Sequence, residues 1–325
     1  MKSKKLKPEV SVLLSAYNAE RYIKKSIESV LAQSYKNFEF LIVDDGSKDR
    51  TWEIISRFRD KRIRCFKIDN LGVARAKNFL LKNAKGDWIA IIDADDIWHP
   101  LKLEIQLRYL RMHPECKMLG TFAQIIDDQG NKLHVEPKVT DWLTIQKVIS
   151  KRNVFTHSSL VYDASIAERI GGYPVSMQKD YAEDYQMIKN FIKYGNAENL
   201  PVALVEYRIA LQSITSSRRF NFITTSQKIR MANHYYILAR IHAFYLNNKK
   251  EALKNILKSI QYEPGLPMYY IFIAMLMIPG IQLLIQKKIM KREHFEYLQH
   301  LESPEEFLQR LKVEETQHQY PESLT

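Results

Sequence analysis

The apolar run Trp88-Ile89-Ala90-Ile91-Ile92 follows Gly86 and ends in Asp93-Ala94-Asp95-Asp96. A short, continuous apolar run bounded in this way reads as a strand buried on both faces, the kind found in parallel sheets. Three carboxylates at the end of a buried strand repel one another and lose hydration unless something neutralises them. In open parallel sheets the carboxyl ends of the strands are where ligands bind. Clustered oxygens suit hard divalent cations, which in turn hold diphosphates. The competing reading is that these aspartates cap the helix beginning near Pro100, but one Asp would suffice for that.

The residues around this run repeat the pattern. Val10–Leu14 reads as a first strand and Phe38–Val43 as a second, ending in Asp44-Asp45-Gly46-Ser47. Arg62–Ile68 reads as a third, with Trp88–Ile92 the fourth. Between them, helices are expected over Glu20–Gln33, from a Thr51 cap through Phe58, and over Gly72–Ala84. Alternating strands and helices predict an α/β fold, a Rossmann-like, mostly parallel sheet flanked by helices. Each polar cluster then falls after a strand, on one edge of the sheet.

Further on, strands are expected over Met118–Ile126, Thr156–Tyr162 and Pro201–Arg208, with a turn at Asp127–Asn131. Helices are expected over Trp142–Ser150, just before Gly171-Gly172, and over Glu183–Tyr194 with Gly195 as its stop. His157 is read as a packed residue. Gln212–Asn221 has the composition of a linker, so the expected division is a domain over 1–216, a helical hairpin over 217–263 and a tail over 264–325. The hairpin pairs Lys228–Leu246 with Lys249–Tyr262. In the tail, Leu266–Ile285 carries no charged residue but is broken by Pro279-Gly280 and followed by Lys287, Lys288, Lys291 and Arg292. An interfacial or re-entrant anchor on an anionic membrane surface fits this best; a buried core helix and a span are the other readings.

With 46% hydrophobic and 26% charged residues the chain is not a disordered one. Its formal net charge of +12 attracts phosphates of any kind. No nucleic-acid-binding module accompanies that charge, so nucleic acid is not an expected partner. The two cysteines, Cys65 and Cys116, have no paired metal or redox spacing and suit a reducing compartment. No signal peptide is read at the basic N-terminus, and a cytoplasmic protein, peripheral on the inner face of the membrane, is expected.

Five segments, in order, resemble the family 2 glycosyltransferases of bacterial surface-polysaccharide synthesis. They are Val10–Asn18, Val43–Thr51, Gly72–Asn78, Asp93–Asp96 and Glu183-Asp184, and the likeness spans residues 8–215. It implies a GT-A fold with a C-terminal helical extension, and an inverting, metal-dependent transfer. One sugar would pass from a nucleoside-diphosphate sugar, with UDP as the nucleotide, to a hydroxyl of a glycan or lipid-linked acceptor. By this resemblance Tyr17 packs on the nucleobase beside Ser15, Asp45 accepts a hydrogen bond from the uracil, and Arg75 meets a phosphate or the base. Asp95 is the metal ligand, Asp93 touches ribose or metal, and Mg2+ or Mn2+ is the ion. Asp184 is the base that takes the acceptor's proton; acids in a first helical turn also favour the helix dipole, which accounts for one of Glu183 and Asp184.

Two departures qualify the likeness. Many relatives carry Tyr-Arg-x-His after the last strand, where this chain has Tyr207-Arg208-Ile209-Ala210. Arg208 is then the candidate for part of the missing diphosphate contact. The Gln-x-x-Arg-Trp motif of processive synthases is also missing, which favours one transfer per encounter. The alternative is a non-catalytic subunit that binds a sugar nucleotide or glycan on the same fold.

Overall fold

The computed structural model describes residues 7–175, 182–208, 249–262, 270, 273 and 301–319. Its sheet begins with β1 (Val10–Ala16), β2 (Phe38–Asp45), β3 (Ile63–Ile68) and β4 (Trp88–Ile91). β1 pairs in parallel with β2 and β4, and β2 pairs in parallel with β3. The register sets Leu13 beside Ile91 and Ala16 beside Asp44, so the acidic ends share one edge.

Beyond β4 the sheet turns antiparallel. Its other strands are β5 (Ile97–Trp98), β6 (Cys116–Ile126), β7 (Lys132–Glu136), β8 (Val161–Asp163) and β9 (Asn196–Arg208). The order is β3-β2-β1-β4-β8-β6-β9-β5, with β7 on β6. β8 runs antiparallel to β4 and β6, and β5 antiparallel to β9. The mostly parallel sheet expected is thus a mixed one, parallel from β3 to β4 and antiparallel where β8 meets β4 and β6 and where β5 meets β9. The strand expected over Thr156–Tyr162 is instead a 3-10 turn, His157–Ser159, leading into β8. β9 starts at Asn196, upstream of the expected Pro201.

Alternate residues of the central strands feed two cores. Val10, Val12 and Leu14 face one; Leu13, Leu41 and Ile91 face the other. The first is closed by α1 (Ile23–Leu31) and α4 (Lys102–Met112), the second by α3 (Val73–Asn83), α5 (Trp142–Val148), α6 (Ala164–Arg169) and α7 (Glu183–Phe191). A short α2 (Thr51–Ile55) adds Ile55 to the first core.

The described residues of Met1–Ile125, Val135–Arg208 and Glu302–Thr325 form one compact unit. Within it the last helix, which we number α9 (Pro304–Gln319), buries Phe307, Leu308 and Leu311 in the first core. Arg108 of α4 also pairs with Glu315 of this helix. The second unit takes in Ile126–His134 and Ile209–Leu301. Its α8 (Lys249–Tyr262) spans the residues predicted for it and buries Ala252 and Ile256. The predicted partner helix Lys228–Leu246, the linker Gln212–Asn221, Ala210 and all but Tyr270 and Ile273 of Leu266–Ile285 lie outside the described residues. Among the described residues no helix is long and apolar enough to cross a membrane.

Candidate active site

The carboxyl edge of β1, β2 and β4 is laced by its own loops. Asn18, at φ +49°, donates its N–H to Ser47 Oγ at 2.9 Å and accepts at Oδ1 from the Lys48 N–H at 2.8 Å. Ser15, opposite Val43 in the register, and Tyr17 are half-buried beside this loop. The two aspartates ending β2 divide the work. Asp44 is buried and accepts from the Ser47 amide and hydroxyl, closing the turn. Asp45 accepts from Leu71 N–H at 2.7 Å and Gly72 N–H at 2.9 Å, one on each oxygen. It thereby fixes the start of α3.

The cap expected from Thr51 comes from elsewhere. Asp49 Oδ1 accepts from Thr51 N–H at 3.0 Å and from its hydroxyl at 2.6 Å, and Thr51 is the first residue of α2.

Arg75 is exposed on the first turn of α3, Nη1 lying 3.4 Å from Leu71 O. Lys77, two positions on, points the other way: it is only 6% exposed and reaches Glu183 Oε1 at 3.3 Å. Burial pulls its ammonium down, but the charges of Asp93, Glu183 and Asp184 outweigh that and raise it. One buried cation is thus the shared neighbour of carboxylates from the β4 end and from the start of α7. Asp184 itself is half-buried in the first turn of α7, its Oδ1 accepting from Tyr185 N–H at 2.7 Å.

The cluster after β4 has three distinct environments. Asp93 donates its N–H to Ser158 Oγ at 2.9 Å, and its Oδ1 lies 3.5 Å from His157 Nδ1. Burial pushes this carboxyl up, yet His157 and Lys77 hold it well below the usual range. Asp95 is half-buried; burial and then the Asp93 charge push it up to about 7. Asp96 is fully buried, and burial with its two acidic neighbours raises it well above the ordinary value.

Asp96 is not a cap for α4, whose N-cap is Leu101. Its Oδ1 accepts from Arg208 N–H at 2.8 Å, anchoring the end of β9. Arg208 Nε donates to Asp95 O at 2.9 Å, and its guanidinium lies 4.5 Å from the centroid of the Tyr22 ring. Arg208, 5% exposed, therefore braces the backbone of the acidic cluster.

These residues fit a hard divalent ion. Asp93 and Asp95 offer carboxylate oxygens, and burial with the nearby Asp93 charge raises Asp95, a charge that a cation would offset. Among the described residues no group of three or more His, Cys, Asp or Glu converges to hold a metal by itself.

Sequence reasoning missed Lys77 and His157. Lys77 lay inside a quoted segment, but only its burial separates it from the exposed Arg75. His157 had one weak signal, a position among hydroxyl residues ahead of an apolar run.

A model of the family described as Glycosyl transferase family 2 matches residues 11–170. The Escherichia coli enzyme UDP-Glc:alpha-D-GlcNAc-diphosphoundecaprenol beta-1,3-glucosyltransferase WfgD is 31% identical over 257 residues, which cover 74% of this chain and 98% of that one. The chain belongs to glycosyltransferase family 2. A further relative, the putative teichuronic acid biosynthesis glycosyltransferase TuaG of Bacillus subtilis, is 32% identical, with 65% of this chain and 83% of TuaG covered. Among solved structures, S. aureus TarS 1-349 in complex with UDP-GlcNAc superposes with a TM-score of 0.55 at 19% identity, over 78% of this chain and 71% of that one. This likeness shows the fold, GT-A, as the resemblance implied.

Proposed function

We propose that the protein is an inverting, metal-dependent glycosyltransferase of surface-polysaccharide synthesis. It moves one hexosyl or N-acetylhexosaminyl unit from a UDP-sugar to a hydroxyl of a glycan or lipid-linked acceptor. The observation that carries this reading is that buried Lys77 pairs with Glu183 at the start of α7, at 3.3 Å, while the charges of Asp93 after β4 and of Asp184 beside Glu183 also act on it. Carboxylates of the donor-side and acceptor-side segments thereby act on one cation. The name of WfgD, with its UDP-Glc donor and diphosphoundecaprenol-linked acceptor, supports the choice of UDP and of a lipid-borne acceptor.

In this reading Tyr17 and Ser15 receive the base, Asp45 accepts from the uracil, and Arg75 meets a phosphate or the base. Arg208 holds the Asp95 carbonyl and so fixes the acidic cluster under the diphosphate. Asp184 takes the acceptor hydroxyl's proton as that oxygen bonds to the anomeric carbon. The bond from that carbon to the diphosphate oxygen breaks on the opposite side, which inverts the configuration. Magnesium or manganese, held by Asp93 and Asp95, supplies charge compensation for the departing diphosphate. The +12 net charge supports residence at an anionic, inner membrane face.

The test is UDP release from a panel of UDP-sugars with a lipid-linked acceptor and Mn2+, repeated with chelator. Turnover with one donor that stops on chelation is expected. No turnover with any donor, or turnover indifferent to chelation, contradicts the proposal.

A further inference from the structure

Behind Asp93 lies a buried row of ring side chains that the reaction above does not use. His157 Nε2 is 2.9 Å from the Tyr173 hydroxyl, and the Tyr162 hydroxyl is 3.2 Å from the same oxygen. All three residues are buried. Tyr173 is clamped at its backbone as well. Asn78 Nδ2 donates to Tyr173 O, and Tyr173 N–H donates to Asn78 Oδ1, both at 2.7 Å.

The imidazole is therefore fixed on one side by a tyrosine that is itself fixed twice. Its other nitrogen, Nδ1, is buried and has no hydrogen-bond partner closer than the Asp93 carboxylate, at 3.5 Å. A buried polar nitrogen without a partner is costly.

We infer that His157 is a positioning residue that sets the direction of the Asp93 carboxylate, with Tyr173 fixing the imidazole from behind. The inference rests on the proposal that Asp93 serves the nucleotide and its metal. A liganding carboxylate that is itself hydrogen-bonded is held near its working geometry before the ligand arrives. Partners of this kind typically matter about 10- to 100-fold in metal affinity.

The imidazole's two nitrogens can be mimicked separately. The amide of Asn reaches the place of Nδ1, whereas that of Gln reaches the place of Nε2. The experiment is calorimetric titration of the full chain with UDP in the presence of Mn2+, on wild type, His157→Ala, His157→Asn, His157→Gln, Asp93→Asn and the double variant His157→Ala/Asp93→Asn. His157→Ala should weaken binding about tenfold, His157→Asn should recover most of it, and His157→Gln should not. In the Asp93→Asn background His157→Ala should cost nothing further.

Equal behaviour of the Asn and Gln variants, an equal loss in both backgrounds, or wild-type affinity in His157→Ala overturns the inference. Tyr173→Phe removes only the hydroxyl and carries the test if His157→Ala does not fold; it should weaken binding severalfold, and unchanged binding counts against the inference. A wild-type protein that binds no UDP with Mn2+ strikes the proposed function itself. Intact wild-type binding with an indifferent His157→Ala strikes only the role of His157.

Discussion

Lys77 Nζ lies 3.3 Å from Glu183 Oε1, a buried ion pair joining α3 to the first turn of α7. Removing one partner of such a pair leaves uncompensated charge in the interior, at a cost of about 3–5 kcal/mol. Lys77→Met should destabilise by that order in urea unfolding and lose most turnover, and Lys77→Arg should recover part of both. The raised ammonium means its contribution is full below the ordinary value of 10.5 and lost only as pH climbs beyond it. The deficit of Lys77→Met should therefore be the same at pH 7 and pH 9. A deficit that shrinks between those values would rule out a charged Lys77 as its origin.

Gly171 and Gly172 both hold positive φ, +78° and +73°. A Cβ on Gly171 would meet nothing within 4 Å, whereas one on Gly172 would stand 2.4 Å from Asn78 Oδ1. Gly171→Ala should cost only the strain of a left-handed residue, about 1–2 kcal/mol. Gly172→Ala should cost more and should also weaken nucleotide binding, because Asn78 Oδ1 holds the Tyr173 amide. Thermal melts and UDP titration of the two variants check this; equal effects would show that the Asn78 clamp is unimportant.

Much of this edge was legible in the sequence because parallel strands are apolar on both faces and end abruptly. The acidic ends of β2 and β4 could be placed from runs of Val, Ile, Leu and Phe alone. What stayed hidden depends on partners distant in sequence. Thr156–Ser159 has the composition of a strand, yet Ser159 Oγ bonds back to Thr156 O at 2.7 Å and Ser158 takes the Asp93 N–H. Those bonds bend the chain into a turn and put His157 behind the acidic cluster. Asp96 looked like a helix cap because β9, which claims it through Arg208, arrives more than a hundred residues later. β5 is two residues long and exists only as a partner of β9.

Lys102 is buried in α4 with its ammonium 4.0 Å from the centroid of the Trp98 ring and 2.6 Å from Gln106 Oε1. Desolvation holds it well below the ordinary lysine value. The unfolded chain then binds a proton that the folded one gives up, so this site opposes folding increasingly as pH falls below about 10.5. Lys102→Met should gain on wild type by about 1 kcal/mol per pH unit through the upper part of that window. Unfolding free energies of both proteins at pH 10, 9 and 8 test it. A constant difference would mean that Lys102 stays protonated in the fold.

The central claim is that Asp184 is the base of a glycosyl transfer whose donor sits on Asp93 and Asp95. Its most direct test compares Asp184→Asn with wild type, measuring UDP release from the productive UDP-sugar and calorimetric affinity for UDP with Mn2+ on the same samples. The account predicts that turnover falls at least about a hundredfold while UDP affinity stays within about twofold of wild type. Turnover retained in Asp184→Asn, with binding unchanged, would contradict it.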